Sequence, residues 1–383
     1  LMRSSAASDV YKRQDVTYDQ TQLDEYVERV LQLEAVACKD WLTNKVDRSV
    51  TGKIARQQCQ GEIQLPLSDC GVVALDYRGR AGIATSIGHA PQAALVDPAA
   101  GSVLSIAEAL TNIVWAPLSE GLDSVSLSAN WMWPCKNEGE DARLYRAVEA
   151  CSDFACSLRI NIPTGKDSLS MTQKYGKDKV YSPGTVIISA GAEVSDIRKV
   201  VSPVLRTGVN STIYYIDFSF DKLKLGGSAF AQSLDKIGKE VPTVQDSEYF
   251  ANAFNAVQEL INKELILAGH DISAGGMITT MLEMNFANTE GGLEVSLDEI
   301  PEKDLVKILF SENPGILIQV EKTDEVEKIL KKAGVAFIRL ARPCDERHLL
   351  IHKDGADYQF FIDHLRDVWS VSYTHLRAHE TKA

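Results

Sequence analysis

Glu108 and Asn112 lie four residues apart in Ser105-Ile106-Ala107-Glu108-Ala109-Leu110-Thr111-Asn112, a largely apolar, helix-favouring stretch. Residues i and i+4 share a helix face, so a carboxylate and a carboxamide would point their oxygens at one place. Burying such oxygens is costly unless a partner meets them, and a hard cation such as Mg2+ is such a partner. Two further acids join as candidates: Asp69 in Leu65-Pro66-Leu67-Ser68-Asp69-Cys70, and Asp271 in Gly269-His270-Asp271-Ile272-Ser273. Together they form an all-oxygen donor set able to hold Mg2+ while leaving positions for nucleotide phosphates. Each residue also has a purely structural alternative. Glu108 and Asn112 fit a helix-capping or surface pair, and Asp69 fits a turn. Asp271 fits an acid near a helix N-terminus, because Ser273-Ala274-Gly275-Gly276 reads as a helix entry. That alternative is itself phosphate-friendly, since helix N-termini present free N–H groups.

The remaining motifs are less specific. Gly165-Lys166-Asp167-Ser168 follows an expected strand, but it lacks the Walker A spacing, and local sequence favours a plain β-turn. Gly226-Gly227-Ser228 fits close backbone packing better than a glycine cradle. The polar stretch at 47–53 has the composition to meet phosphate. His89 and His270 have acid–base potential, although a histidine beside glycine commonly serves a turn. Trp131 and Trp133 read as core or interface, and Lys328, Lys331 and Lys332 as a solvated face.

These groups must be carried on a substantial framework. The chain has 383 residues and 45% hydrophobic content, which allows two or three domains with sizeable cores. A net charge of -13 argues against a general binder of nucleic acid or anionic membrane. Seven cysteines, with no C-x-x-C pair, read as reduced thiols in a cytoplasmic protein. No apolar run has the length of a membrane span, and the start lacks an apolar signal core. Residues 1–14 and 371–383 show no sustained period and read as appended segments.

Between them the pattern predicts a helix over 23–42, strands over 71–77 and 82–87, and the Glu108 helix over 103–116, stopped by Pro117. A strand over 124–129 and an amphipathic helix over 141–158 follow, with Leu144, Val148, Ala150 and Cys151 facing inward. A hairpin-like stretch reaches Ser182, and a strand over 185–194 closes a first unit spanning 15–195. After a linker at 196–207, the second unit (208–370) reads as strands over 212–218, 315–320, 336–340 and 349–352. Its helices are expected after Gly226-Gly227-Ser228 to about Leu234 and over 248–262, 274–285 and 323–333, with a glycine-rich loop at 269–276. The class is α/β followed by α+β.

Taken in order, Asp47-Arg48-Ser49-Val50-Thr51-Gly52, Leu67-Ser68-Asp69-Cys70, Ala107-Glu108-Ala109-Leu110-Thr111-Asn112, Leu127-Ser128-Ala129-Asn130-Trp131-Met132 and Pro163-Thr164-Gly165-Lys166-Asp167-Ser168 resemble the phosphoribosylformylglycinamidine synthase family in its large, single-chain form. Leu225-Gly226-Gly227-Ser228, His270-Asp271-Ile272-Ser273-Ala274-Gly275-Gly276 and Phe310-Ser311-Glu312-Asn313 extend it across residues 23–369. The resemblance implies aminoimidazole ribonucleotide synthetase-like N-terminal and C-terminal domains and matches the second half of that family's synthetase core.

The resemblance further implies an ATP-dependent ligase of purine biosynthesis. ATP phosphorylates the amide oxygen of formylglycinamide ribonucleotide, and ammonia then displaces phosphate to give the amidine, ADP and phosphate. It assigns Asp69, Glu108, Asn112 and Asp271 to Mg2+, Ser68 and Ser273 to ATP or ADP, and Gly165, Lys166 and Ser168 to the substrate side. Lys166 stands where the small form of the enzyme has Asn. The family's first half and its glutaminase domain have no counterpart in this chain, which implies inactivity alone, dependence on those partners, and a surface prone to homodimerise. Two alternatives accompany this reading: a half that holds ATP or ADP with Mg2+ structurally, and a small-molecule kinase of the same superfamily.

Overall fold

The computed structural model describes residues 14–45, 52–176 and 178–370, so most of the polar 47–53 stretch lies outside the described residues. Helix α1 (Leu23–Leu31) buries Leu23, Tyr26, Val27, Val30 and Leu31, the stripe expected from its sequence period. The helix does not run on to residue 42; a separate helix covers Asp40–Lys45. Trp369 occupies the break, donating Nε1–H to the Val36 carbonyl at 2.8 Å and accepting the Cys38 N–H at 3.1 Å. Backbone groups taken by a distant residue are lost to a continuous helix.

The first unit is a six-stranded sheet of β1 (Ile54–Arg56), β2 (Gly71–Ala74), β3 (Gly82–His89), β4 (Ser126–Met132), β5 (Asn161–Ser168) and β6 (Thr185–Val194). They lie in the order β1-β2-β3-β6-β4-β5. β4 and β5 pair in parallel, and the other neighbours are antiparallel. β3 alternates buried and exposed residues along its whole length, as a strand with one covered face must. Its covered face carries helix α2 (Pro98–Ile113), started by Pro98 at its first turn and capped by Asp97, whose side chain accepts the Ala99 N–H at 2.9 Å. Helix α3 (Glu140–Ser157) packs against α2 and buries Ala147, Cys151, Phe154 and Ala155. Val148, expected inside, is 42% exposed. Cys151 is buried as expected, and Ala147 rather than Val148 shares its face.

The second unit is a seven-stranded sheet. Its elements in chain order are β7 (Thr212–Asp217), α4 (Ser247–Asn262), β8 (Ala268–Asp271), α5 (Gly276–Phe286), β9 (Gly292–Ser296), α6 (Leu305–Phe310), β10 (Gly315–Val320), α7 (Thr323–Lys332), β11 (Phe337–Cys344), β12 (His348–Lys353) and β13 (Ala356–Phe361). The strand order is β8-β10-β7-β11-β9-β12-β13. The helix expected after Gly226-Gly227-Ser228 covers Ala229–Ser233, with Ser228 as its cap.

One core runs from the inner face of the first sheet through α2 to Tyr214, Ile216, Phe250 and Phe254 of the second unit. A second core fills the opposite face of the larger sheet under α1, α5 and α6. Gln258 of α4 joins the units: its Oε1 accepts the Leu118 N–H at 2.8 Å, and its Nε2 donates to the carbonyls of Val114 and Ala116 at 2.6 and 3.1 Å. The 196–207 segment also touches both units, since Val201 N–H bonds the Trp115 carbonyl and Leu205 N–H bonds the Met284 carbonyl. Among the described residues, no helix is long and apolar enough to cross a membrane.

Candidate metal and nucleotide site

Two glycines let the elements that carry the acids come together. A Cβ on Gly88 would lie 2.2 Å from the Ser105 carbonyl oxygen and 2.3 Å from the Ala109 nitrogen, so α2 can rest on β3 only over a glycine. In that position Glu108 Oε2 accepts the His89 N–H at 3.3 Å and Asn112 Nδ2 donates to the Ile87 carbonyl at 3.1 Å. Both side chains therefore reach the end of β3, as their spacing implied. Gly269 plays the matching part on β8, where a Cβ would lie 2.1 Å from the Trp115 ring, which packs just beyond α2.

The residues beside Gly269 form the densest polar group. His270 Nδ1 lies 2.7 Å from Asp69 Oδ1 and 3.7 Å from Asp271 Oδ1, while Nε2 lies 2.9 Å from Glu283 Oε2 on α5. Asp69 arrives on the loop before β2, where the N–H groups of Leu67 and Ser68 both bond the Gln58 carbonyl at 3.1 Å. The ligand atoms of Asp69, His270 and Asp271 lie within 4.8 Å of one another. Their side chains are 5%, 7% and 2% exposed. Asp271 thus sits on a strand rather than in the glycine-rich loop expected at 269–276; only the residues after it turn into α5.

Glu108 stands outside this tight group, in the wall of an adjoining cavity of about 90 Å³. His89 and Glu108 from the first unit line it, facing Gly226, Gly227, Ser273 and Glu312 from the second. Glu312 accepts the N–H groups of Gly275 and Ala229, both at 2.8 Å, and so holds the two glycine-containing loops against the cavity.

The electrostatics favour a positive guest. Burial raises the Asp69 and Asp271 carboxyls above their ordinary value, and the charge of Asp69 pushes Asp271 further up. Burial raises Glu108 to about 8, aided by the charge of Glu312, and burial takes Glu312 to about 7 against the lowering effect of the Gly275 and Ala229 N–H groups. Burial by itself would lower His270, yet Asp69 and then Glu283 hold it well above 6.5. Asp271 Oδ2 and Ser68 Oγ are buried and accept no hydrogen bond from the protein. An unmatched, buried carboxylate oxygen among other acids fits an oxygen-seeking divalent cation.

Ser273 lines the cavity, whereas Ser68, the neighbour of Asp69 in the chain, does not and has a buried Oγ. Gly165, Lys166 and Ser168 do not line it. They occupy the end of edge strand β5, where a turn was expected, and Lys166 Nζ bonds Ser168 Oγ. Trp133 is fully buried, as read. His270 as the hub, with Glu283 and Glu312, escaped sequence reasoning. The one available signal was the clustering of His270 with Asp271 and of Glu312 with Ser311 and Asn313.

Comparison with known proteins defines the class first. Residues 38–193 match the model of the FGAR-AT PurM_N-like domain, and residues 211–348 that of the AIR synthase related protein C-terminal domain. The chain is thus a PurM-like N-terminal domain followed by an AIR synthase-type C-terminal domain. It is 40% identical over 347 residues to a probable phosphoribosylformylglycinamidine synthase of Caenorhabditis elegans, an alignment covering 86% of this chain and 26% of the relative. The chain belongs to the phosphoribosylformylglycinamidine synthase family, and it spans about a quarter of the length of the curated relatives it matches. The fold is shared with T. maritima PurL complexed with FGAR (TM-score 0.67, 17% identity, covering 90% of this chain and 53% of that one). It is likewise shared with T. maritima PurL complexed with ATP (TM-score 0.60, 15% identity, 78% and 46%).

Proposed function

We propose that this chain is the second half of the synthetase core of a phosphoribosylformylglycinamidine synthase and supplies a Mg2+–nucleotide surface to an ATP-dependent, amidine-forming ligase. The observation that carries this reading is the buried Asp271 carboxylate, with an unmatched oxygen, beside Asp69 and near Glu108. Asp69, Asp271 and Glu108 would hold the cation, with Asn112 one turn beyond Glu108 on the same helix. When bound, the cation neutralises phosphate charge and so favours phosphoryl transfer to an amide oxygen. Ser273, on the cavity wall, orients the nucleotide, and the cavity walls exclude water.

Formylglycinamide ribonucleotide is the proposed substrate, with Gly165, Lys166 and Ser168 on its side of the sheet. Ile83 and Ile87 are 46% and 59% exposed on the uncovered face of β3, the surface we assign to the partner half or to a second copy of this chain. Alone, the chain should release little or no phosphate from Mg-ATP, formylglycinamide ribonucleotide and ammonium, while Mg-nucleotide should raise its melting temperature. Asp69→Ala should abolish that rise. Turnover comparable to an intact enzyme would overturn the half-site reading. Its cysteines, free among the described residues, suit a reducing compartment such as the cytoplasm.

A second reading is favoured by the cavity having walls from both units: a bound nucleotide would clamp them and act structurally. If so, Asp69→Ala in the full-length enzyme lowers stability along with activity. A catalytic site loses activity with stability kept.

A further inference from the structure

We infer that Glu283 and His270 are positioning residues that aim the Asp69 carboxylate at the cation; the inference rests on the cation reading above. Glu283 projects from α5, three residues before its end, and meets His270 Nε2 at 2.9 Å. Across the ring, Nδ1 lies 2.7 Å from Asp69 Oδ1. The imidazole is therefore held between two carboxylates from distant parts of the chain, and all three side chains are largely buried, at 16%, 7% and 5% exposure.

Two features assign the ring to orientation rather than to binding the ion. Each nitrogen is already in close contact with a carboxylate oxygen, and Mg2+ selects oxygen donors over imidazole. Nε2 meets Glu283 Oε2 at 2.9 Å and Nδ1 meets Asp69 Oδ1 at 2.7 Å, so the ring is fixed from the helix side and fixes the loop carboxylate in turn. Asp69 enters on a loop, whereas Glu283 stands on a helix packed into the core. The rigid helix thus sets the ring, and the ring sets the loop carboxylate. Breaking an arrangement of this kind, in which outer partners orient the groups that touch a metal, changes metal affinity by roughly 10–100-fold.

The test titrates Mn2+ into the full chain, followed by the electron paramagnetic resonance of free Mn2+, for wild type, Glu283→Ala and Glu283→Gln. The amide oxygen of Gln can still accept from Nε2, so Glu283→Gln should stay within about threefold of wild type, while Glu283→Ala should lose about tenfold or more. Thermal melts without metal separate the alternatives. A merely structural Glu283 would lower the melting temperature yet leave the Mn2+ dissociation constant of the folded protein unchanged. Equal affinity in all three proteins, or equal loss in both variants, overturns the inference. If wild type itself fails to bind Mn2+, the cation reading falls first and this inference with it. Should Glu283→Ala not fold, Glu283→Asp, one methylene shorter, replaces it under the same criterion.

Discussion

Glu108→Gln should make the metal-free protein more stable at neutral and alkaline pH while removing its response to Mg2+. Burial, and secondarily the charge of Glu312, raise the Glu108 carboxyl from 4.5 to about 8. Between those values the folded protein holds a proton that the unfolded chain has released, so metal-free stability falls as pH rises through that window. Each pH unit inside the window is worth about 1.4 kcal/mol. From pH 5.5 to 7.5, Glu108 therefore removes about 2 to 3 kcal/mol. At about 2 cal/mol/K of unfolding entropy per residue, that is a fall of roughly 3 to 4 °C. Gln imitates the protonated acid, can keep the acceptor for the His89 N–H, and does not ionise. Wild type and variant should melt together only at or below about pH 4.5, and the gap between them should widen by this margin from pH 5.5 to 7.5. Mg2+ takes the proton's place in wild type, so its stabilising shift should be small at pH 5.5 and grow toward pH 8, and Glu108→Gln should lose it. Scanning calorimetry at matched ionic strength reads all of these. Parallel pH curves for the two proteins, or an undiminished Mg2+ shift in the variant at pH 8, would refute the reasoning.

Gln258→Ala strands one N–H and two carbonyls between the units; a loss of about 3 kcal/mol, read from the urea midpoint, is expected. Gly165→Ala places a Cβ 2.1 Å from the Ala129 carbonyl oxygen, and a loss of about 1–3 kcal/mol should follow as β5 is pushed from β4. Lys166→Ala, on the exposed end of the same strand, should stay within about 0.5 kcal/mol of wild type in the same denaturation experiment. The paired changes Ile83→Asp and Ile87→Asp should lower self-association in sedimentation velocity and leave the melting temperature near wild type, because both residues are exposed.

The fold was legible wherever one covered face imposed a period. β6 falls on the residues expected of it, and α3 begins and ends within one residue of its expected span, while β10, buried on both faces, was legible instead from its apolar, β-branched Ile316-Leu317-Ile318-Gln319-Val320 run. β8, β9 and β13 were not legible. β8 is four residues of Ala-Gly-His-Asp buried on both faces, so no alternation announces it, and it is held by its antiparallel pairing with β10. β13 carries Asp357 and Gln359 on an edge strand and owes its shape to β12.

The site divides the same way. Glu108 and Asn112 were readable because a helix converts a four-residue spacing into proximity. Glu283 and His270 are thirteen residues apart and meet only because β8 runs into α5, while Asp69 joins them from two hundred residues away. That difference explains why Glu108 was singled out from its spacing while Glu312 on the same cavity wall and the linking place of the His270 ring were not. It also fixes where a substitution should be felt. Changing Glu108 alters a charge on a rigid helix, so its effect should track pH. Changing Glu283 alters an angle passed on to a loop, so its effect should appear in cation affinity.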